Sequence, residues 1–95
     1  MANYKLSNVA KEDLKRIHKY GVENLGMKQA DLYFNTFFEY FDLIAESLFS
    51  FESVDQIKQG YRRCVWGSNS IYYRINESIV EIMAIVGRQD LNTII

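Results

Sequence analysis

The 95-residue chain has no proline, one cysteine, one histidine and five glycines. No proline-rich linker, internal repeat or low-complexity tract divides it, so a single domain over residues 1–95 is expected. Cys64 stands alone, which excludes an internal disulfide, and no Cys/His cluster surrounds it to hold a structural metal. No apolar run approaches the ~20 residues that a membrane-spanning helix needs. The opening Met1-Ala2-Asn3-Tyr4-Lys5-Leu6-Ser7 lacks a basic start followed by an apolar stretch, so export is not expected and the cytoplasm is. A strong charge of one sign is also missing. The net charge is −1, which suits a general nucleic-acid binder poorly because such binding rests on neutralising phosphates.

What is present is an ordinary soluble balance, 48% apolar and 24% charged, which argues against disorder. A chain this short buries only about 60–65% of its unfolded surface and can hold one core. Charge is unevenly spread. Residues 1–55 carry six Lys/Arg against nine Asp/Glu, whereas residues 56–95 carry five against three, so the basic excess lies in the second half. A solvated sheet face is the plainer account of it.

Tyr4-Lys5-Leu6 reads as a short strand, after which Ser7 or Asn8 can cap a helix. Ala10, Leu14, Ile17, Gly21 and Leu25 fall within one arc of roughly 80° on a helical wheel, with Lys11, Lys15 and Lys19 outside it. Gly26 suits the position that ends a helix. A second helix follows at once. Its apolar residues run from Ala30 through Tyr33, Phe34, Phe37, Phe38, Phe41, Ile44 and Ala45 to Leu48, over an arc of roughly 140°. Asp31, Asn35, Glu39, Asp42 and Glu46 fill the far side, interrupted by Leu32 and Leu43. So short a connection makes an antiparallel helical hairpin. Core packing explains most of the arc, but surplus apolar surface is also what a partner helix needs.

The period then changes to two. Ile71, Tyr73 and Ile75 alternate with Ser70, Tyr72 and Arg74, and Val80, Ile82, Ala84 and Val86 alternate with residues including Glu81. A reversal at Glu77-Ser78 sets Ile75 opposite Val80, Tyr73 opposite Ile82, Ile71 opposite Ala84, and Arg74 opposite Glu81 on the other side. A preceding strand runs from Gly60 to Trp66 and joins through Gly67-Ser68, but alternation leaves open which face Arg62 occupies. Residues 49–59 read as loop or a short helical turn. The fold class is therefore α+β in the order β-α-α-β-β-β. A small, largely antiparallel sheet carries the helical hairpin on one face and leaves the other partly open.

Several stretches, in order and nearly end to end, resemble the ParE branch of the RelE/ParE toxin–antitoxin superfamily. They are Tyr4-Lys5-Leu6-Ser7…Ala10…Asp13-Leu14…Ile17, then Gly26…Gln29-Ala30…Tyr33…Phe37…Phe41…Ile44-Ala45-Glu46, then Gly60-Tyr61-Arg62, Gly67-Ser68-Asn69-Ser70-Ile71-Tyr72-Tyr73-Arg74 and Ile82…Ile85…Arg88-Gln89-Asp90. Histidines are common in the family where Asn69 and Gly87 stand here, and a proline and glycine are common where Ser47 to Phe51 stand.

The resemblance implies a cytoplasmic toxin with no cofactor. RelE-type members cut mRNA on the ribosome, which requires acid–base groups and cations around the scissile phosphate. Only Tyr72 or Tyr73 with Arg62, Arg63, Arg74 and Arg88 are available for that, since His18 lies on the first helix beside the apolar arc. ParE-type members bind DNA gyrase and trap it on cleaved DNA, which needs a shaped surface and no catalytic residue in the toxin. The near-neutral charge fits the second case. Target contacts are then expected at Tyr61, Arg62, Arg74, Arg88, Gln89 and Asp90, and a cognate antitoxin, ParD-like or other, at Leu32, Phe38 and Leu43. Operator DNA would be reached through the antitoxin, not by the toxin alone. An mRNA endonuclease and a non-toxic antitoxin-binding or autoregulatory subunit remain the alternatives.

Overall fold

In the computed structural model, which describes residues 3–87, Ser7 caps the first helix, α1 (Asn8–Leu25), by accepting the Ala10 N–H at 3.0 Å. The same hydroxyl donates to the Met83 carbonyl at 2.8 Å, and the Ser7 N–H donates to the Ile82 carbonyl at 2.9 Å. One residue therefore starts the helix and pins its origin to the sheet. Gly26 alone separates α1 from α2 (Met27–Glu46), at φ +88° and ψ 161°, a conformation essentially reserved for glycine. The two helices close on each other at Gly21, where an added Cβ would lie 3.2 Å from the Ala30 Cβ. Nearby, His18 Nε2 and Asp31 Oδ1 are 2.8 Å apart, with the His18 ring edge-on to Phe34. The hairpin expected from the short connection is present. Helix α2 stops at Glu46, however, so Leu48 is not part of its arc. Leu48 lies in the following turn, where its carbonyl accepts the Tyr73 hydroxyl at 2.9 Å.

Five strands form one sheet: β1 (Tyr4–Leu6), β2 (Glu52–Ser53), β3 (Tyr61–Trp66), β4 (Asn69–Asn76) and β5 (Ile79–Val86), ordered β1-β5-β4-β3-β2. Strand β1 runs parallel to β5 and every other pairing is antiparallel. Strand β2 corrects the expectation of loop or helical turn over residues 49–59. It is two residues long, too short to alternate, and exists by pairing with Arg62 and Arg63. The β4–β5 turn falls at Glu77 and Ser78, both at positive φ (52° and 68°), which a two-residue hairpin turn demands and glycine usually meets.

The hairpin register holds near that turn and then slips. Ile75 faces Val80, Arg74 faces Glu81 and Tyr73 faces Ile82, but Tyr72, not Ile71, faces Ala84, and Ile71 faces Ile85. Met83 is an extra residue in β5, a bulge. Strict alternation would have buried Ala84 and exposed Ile85. The bulge reverses this and puts Ile85 in the core at 1% exposure. Two groups near the bulge are met from α1, since Ser7 takes the Met83 carbonyl and Asp13 Oδ2 accepts the Ile85 N–H at 2.9 Å.

Leu14, Ile17, Phe37, Phe41 and Ile44 from the helices meet Ile71, Tyr73, Val80, Ile82 and Ile85 from the sheet in one core. Each such side chain contributes ~1.5–3 kcal/mol by leaving water. The uncovered sheet face and the outer face of α2 are left for other tasks.

Candidate functional site

Residues paired across strands share a face, so the register sorts the candidate side chains. On the open face a row crosses four strands in the order Lys5, Glu81, Arg74, Tyr61. Glu81 Oε1 accepts from Arg74 Nε at 2.5 Å, and Glu81 Oε2 lies 3.4 Å from Lys5 Nζ. The Arg74 hydrogen bond, helped by Lys5, holds the Glu81 carboxyl below the usual carboxylate range. A second row joins Glu52, Arg63 and Tyr72, with Arg63 paired to Glu52 and in hydrogen-bonding range of Tyr72. Tyr61 is half-buried, and the Lys58 ammonium lies 5.2 Å from its ring centroid.

Arg62 occupies the opposite face, in register with the buried Tyr73. Its Nη1 donates to the Phe51 carbonyl at 2.7 Å, and its guanidinium lies 5.1 Å from the centroid of Phe49, a ring left 71% exposed. Arginine and ring border a shallow depression of about 400 Å³ that Ser53, Asp55, Gly60, Tyr61 and Ile75 complete. Asp55 is held below the usual carboxylate range chiefly by accepting the Gly60 N–H at 2.8 Å. That bond shapes the turn leading into β3. Tyr73, by contrast, is closed off: burial pushes its hydroxyl up to about 12, so it is a poor proton donor or acceptor at neutral pH. Burial likewise pushes the Cys64 thiol up to about 11 and leaves it unreactive.

The outer face of α2 carries Leu32 and Leu43, 56% and 44% exposed. A hollow of about 330 Å³ lies between Glu39, Tyr40 and Leu43. The Tyr40 ring stacks on Trp66 with centroids 5.3 Å apart, and Tyr33 and Phe37 close around the same indole. Asn69, 1% exposed, donates to the Tyr33 hydroxyl at 2.6 Å. Phe38 does not join Leu32 and Leu43. Its ring packs between Phe34 and Phe41 on another flank of the helix.

Residues 4–91 match the family described as the ParE toxin of the type II toxin–antitoxin system parDE. The chain belongs to that family. It is 34% identical over 92 residues to Toxin ParE1 of Caulobacter vibrioides, covering 97% of this chain and 94% of that protein. Its fold is similar to a solved chain of the chromosomal ParDE system from P. aeruginosa, with a TM-score of 0.80 at 18% identity over 92% of this chain and 96% of that one. A conserved hypothetical protein of Helicobacter pylori has the fold more distantly, with a TM-score of 0.57 at 10% identity over 96% and 99% of the two chains.

In this ParE-family chain the expected target contacts among the described residues are divided between two sheet faces, although Tyr61 and Arg62 both line the depression. Tyr61 and Arg74 are neighbours on the open face, Arg62 is on the covered face at the sheet margin, and Arg88, Gln89 and Asp90 lie outside the described residues. Among the described residues no group of three His, Cys, Asp or Glu converges as metal ligands, and no helix is long and apolar enough to cross a membrane. Three features of the site escaped the sequence reading. Phe49 under Arg62 depends on a loop conformation. Lys5 beside Glu81 depends on a parallel pairing between residues 76 apart, since Lys5 pairs with Glu81. The Tyr40–Trp66 stack carried a weak signal only, because both residues are aromatic and neither recurs in a pattern.

Proposed function

We propose that this chain is a growth-arresting toxin that acts in the cytoplasm by binding DNA gyrase and trapping it on cleaved DNA, and that a cognate antitoxin neutralises it. Membership of the ParE family supports a toxin with an antitoxin partner. The observation that carries the ligand reading over ribonuclease chemistry is the state of the polar groups on the sheet. Arg63 and Arg74 each rest on a carboxylate, and the Tyr73 hydroxyl is buried against the Leu48 carbonyl. A phosphoryl-transfer site needs its cations and its acid–base group free to meet substrate. A protein ligand needs only an accessible, shaped surface, and Arg62 with Phe49 at the margin of the depression supplies a planar cation on an exposed ring.

The test is a supercoiling and cleavage-complex assay with purified gyrase. Wild-type protein should raise the level of cleaved, protein-linked DNA, and gyrase left untouched at micromolar excess would end this reading. In a translating-ribosome assay, mRNA should stay intact. Cleavage within A-site codons, abolished by Arg74→Ala or Tyr72→Phe, would instead make the protein a ribonuclease.

The antitoxin is assigned to the outer face of the hairpin, where Leu32, Leu43 and the hollow beside Tyr40 offer an apolar stripe to an amphipathic segment. Leu43→Lys should leave the melting temperature within a few degrees of wild type, because the side chain is exposed. It should weaken antitoxin binding tenfold or more, since it sets a charge against an apolar contact worth ~1.4 kcal/mol. Calorimetry giving an unchanged affinity would remove this face from the interface.

A further inference from the structure

The open face has the parts of a single-strand polyanion site and also a residue that fills it. Lys5, Arg63 and Arg74 project from three strands, and Tyr61 follows Arg74 in the same row as a ring on which a base could stack. Yet Glu81 sits between Lys5 and Arg74 with its two carboxylate oxygens divided between them. The acid is the sunken member, with its side chain 13% exposed, against 63% for Lys5 and 47% for Arg74. Beside it opens a depression of about 140 Å³ lined by Lys5, Leu6, Ser7, Arg74, Glu81 and Met83.

We propose that Glu81 is the built-in occupant of an anion site on the open sheet face, and that its carboxylate denies this face to single-stranded nucleic acid. A carboxylate and a phosphate present the same paired oxygens to a guanidinium and an ammonium, so either satisfies Arg74 and Lys5. The internal acid has the advantage of being tethered. A phosphate arriving from solution must displace a carboxylate that cannot leave and that then repels it. Arg74 holds the Glu81 carboxyl below the usual carboxylate range, so the acid stays charged at neutral pH and mild acid does not vacate the site. Glu52 does the same for Arg63 in the next row. Glu81 thereby acts as a specificity determinant. It lets a sheet with basic and aromatic residues face the cell without collecting RNA, whether or not gyrase is the toxin's target.

The experiment measures the anisotropy of a fluorescein-labelled oligouridylate against wild type, Glu81→Gln, and Glu81→Gln combined with Arg74→Gln, over a series of salt concentrations. Circular dichroism confirms that each is folded, and Glu81→Ser, equally uncharged, replaces Glu81→Gln if that variant unfolds. Glu81→Gln should bind at least tenfold more tightly than wild type at low salt. Its plot of log affinity against log salt should steepen by about 1.4, from two new phosphate contacts at ~0.7 each for a single strand. Adding Arg74→Gln should remove one of the two contacts, cutting the steepening to about 0.7 and giving back most of the gain in affinity. If the uncharged variants bind no better than wild type, or if the gain is undiminished by loss of Arg74, Glu81 is only a surface ion-pair partner and the proposal fails.

Discussion

Phe37→Ala is expected to lower the free energy of unfolding by about 3–5 kcal/mol. Phe37 is fully buried, and its ring meets Tyr33, Phe41 and Trp66 at centroid distances of 5.6, 6.4 and 4.9 Å. Truncation removes an apolar group and also opens a hole between α2 and the sheet that aromatic neighbours, flat and rigid, fill badly. Domains of this size are stable by only about 5–15 kcal/mol, so the loss takes between roughly a fifth and all of that stability. The melting temperature should fall by more than about 12 °C, at roughly 4–8 °C per kcal/mol. The sole tryptophan, Trp66, lies against the mutated ring and reports on the transition directly. A urea midpoint giving a loss below about 1.5 kcal/mol would mean that the aromatic cluster repacks, and that the core rests more on Ile44, Ile71 and Ile82.

Why the buried helix face that holds Phe37 was legible in advance, and the sheet face of Arg62 was not, is a matter of range. The hairpin is local. Spacing of 3 and 4 along α1 and α2, Ser7 at one end and Gly26 at the other are visible within a few turns of chain, and the helices formed there. The Glu77-Ser78 reversal is local too, and so is the pairing of Arg74 with Glu81 beside it. Beyond that pair the register depends on α1, because the Met83 bulge is held by Ser7 and Asp13 from the far end of the sequence. Alternation within residues 79–86 carries no trace of those partners, so it placed Ala84 where Ile85 belongs. Strand β2 depends on how residues 47–54 return to the sheet edge, and the face of Arg62 on the β3–β4 register that sets it opposite Tyr73, neither of which leaves a periodic pattern in the chain. Resemblance to the ParE family covered the gap for the fold as a whole, since family membership fixes topology. It did not reach the site, because Tyr61, Arg62 and Arg74 are close in sequence yet divided between two faces.

Arg62→Ala should weaken poisoning of gyrase by tens of fold, through loss of an interface arginine worth ~2 kcal/mol or more. The side chain also has a structural task, since its bond to the Phe51 carbonyl ties residues 47–54 to β3. A hydrogen bond from a charged donor contributes roughly 1.5–3 kcal/mol at most, so the same variant should also melt earlier. The two effects separate by comparison. Arg62→Lys keeps the charge and loses the planar fork, and so should recover part of the potency while leaving residues 47–54 loosened. Phe49→Ala removes the exposed ring but leaves the Arg62–Phe51 bond in place, and should lower potency with little change in stability. The readouts are cleavage-complex formation with purified gyrase and hydrogen exchange over residues 47–54. If potency tracks the folded fraction across all three variants, Arg62 is a loop anchor and the gyrase contact lies elsewhere. If Phe49→Ala lowers potency without faster exchange, the arginine and ring form a contact surface that the covered face of the sheet extends past its own margin.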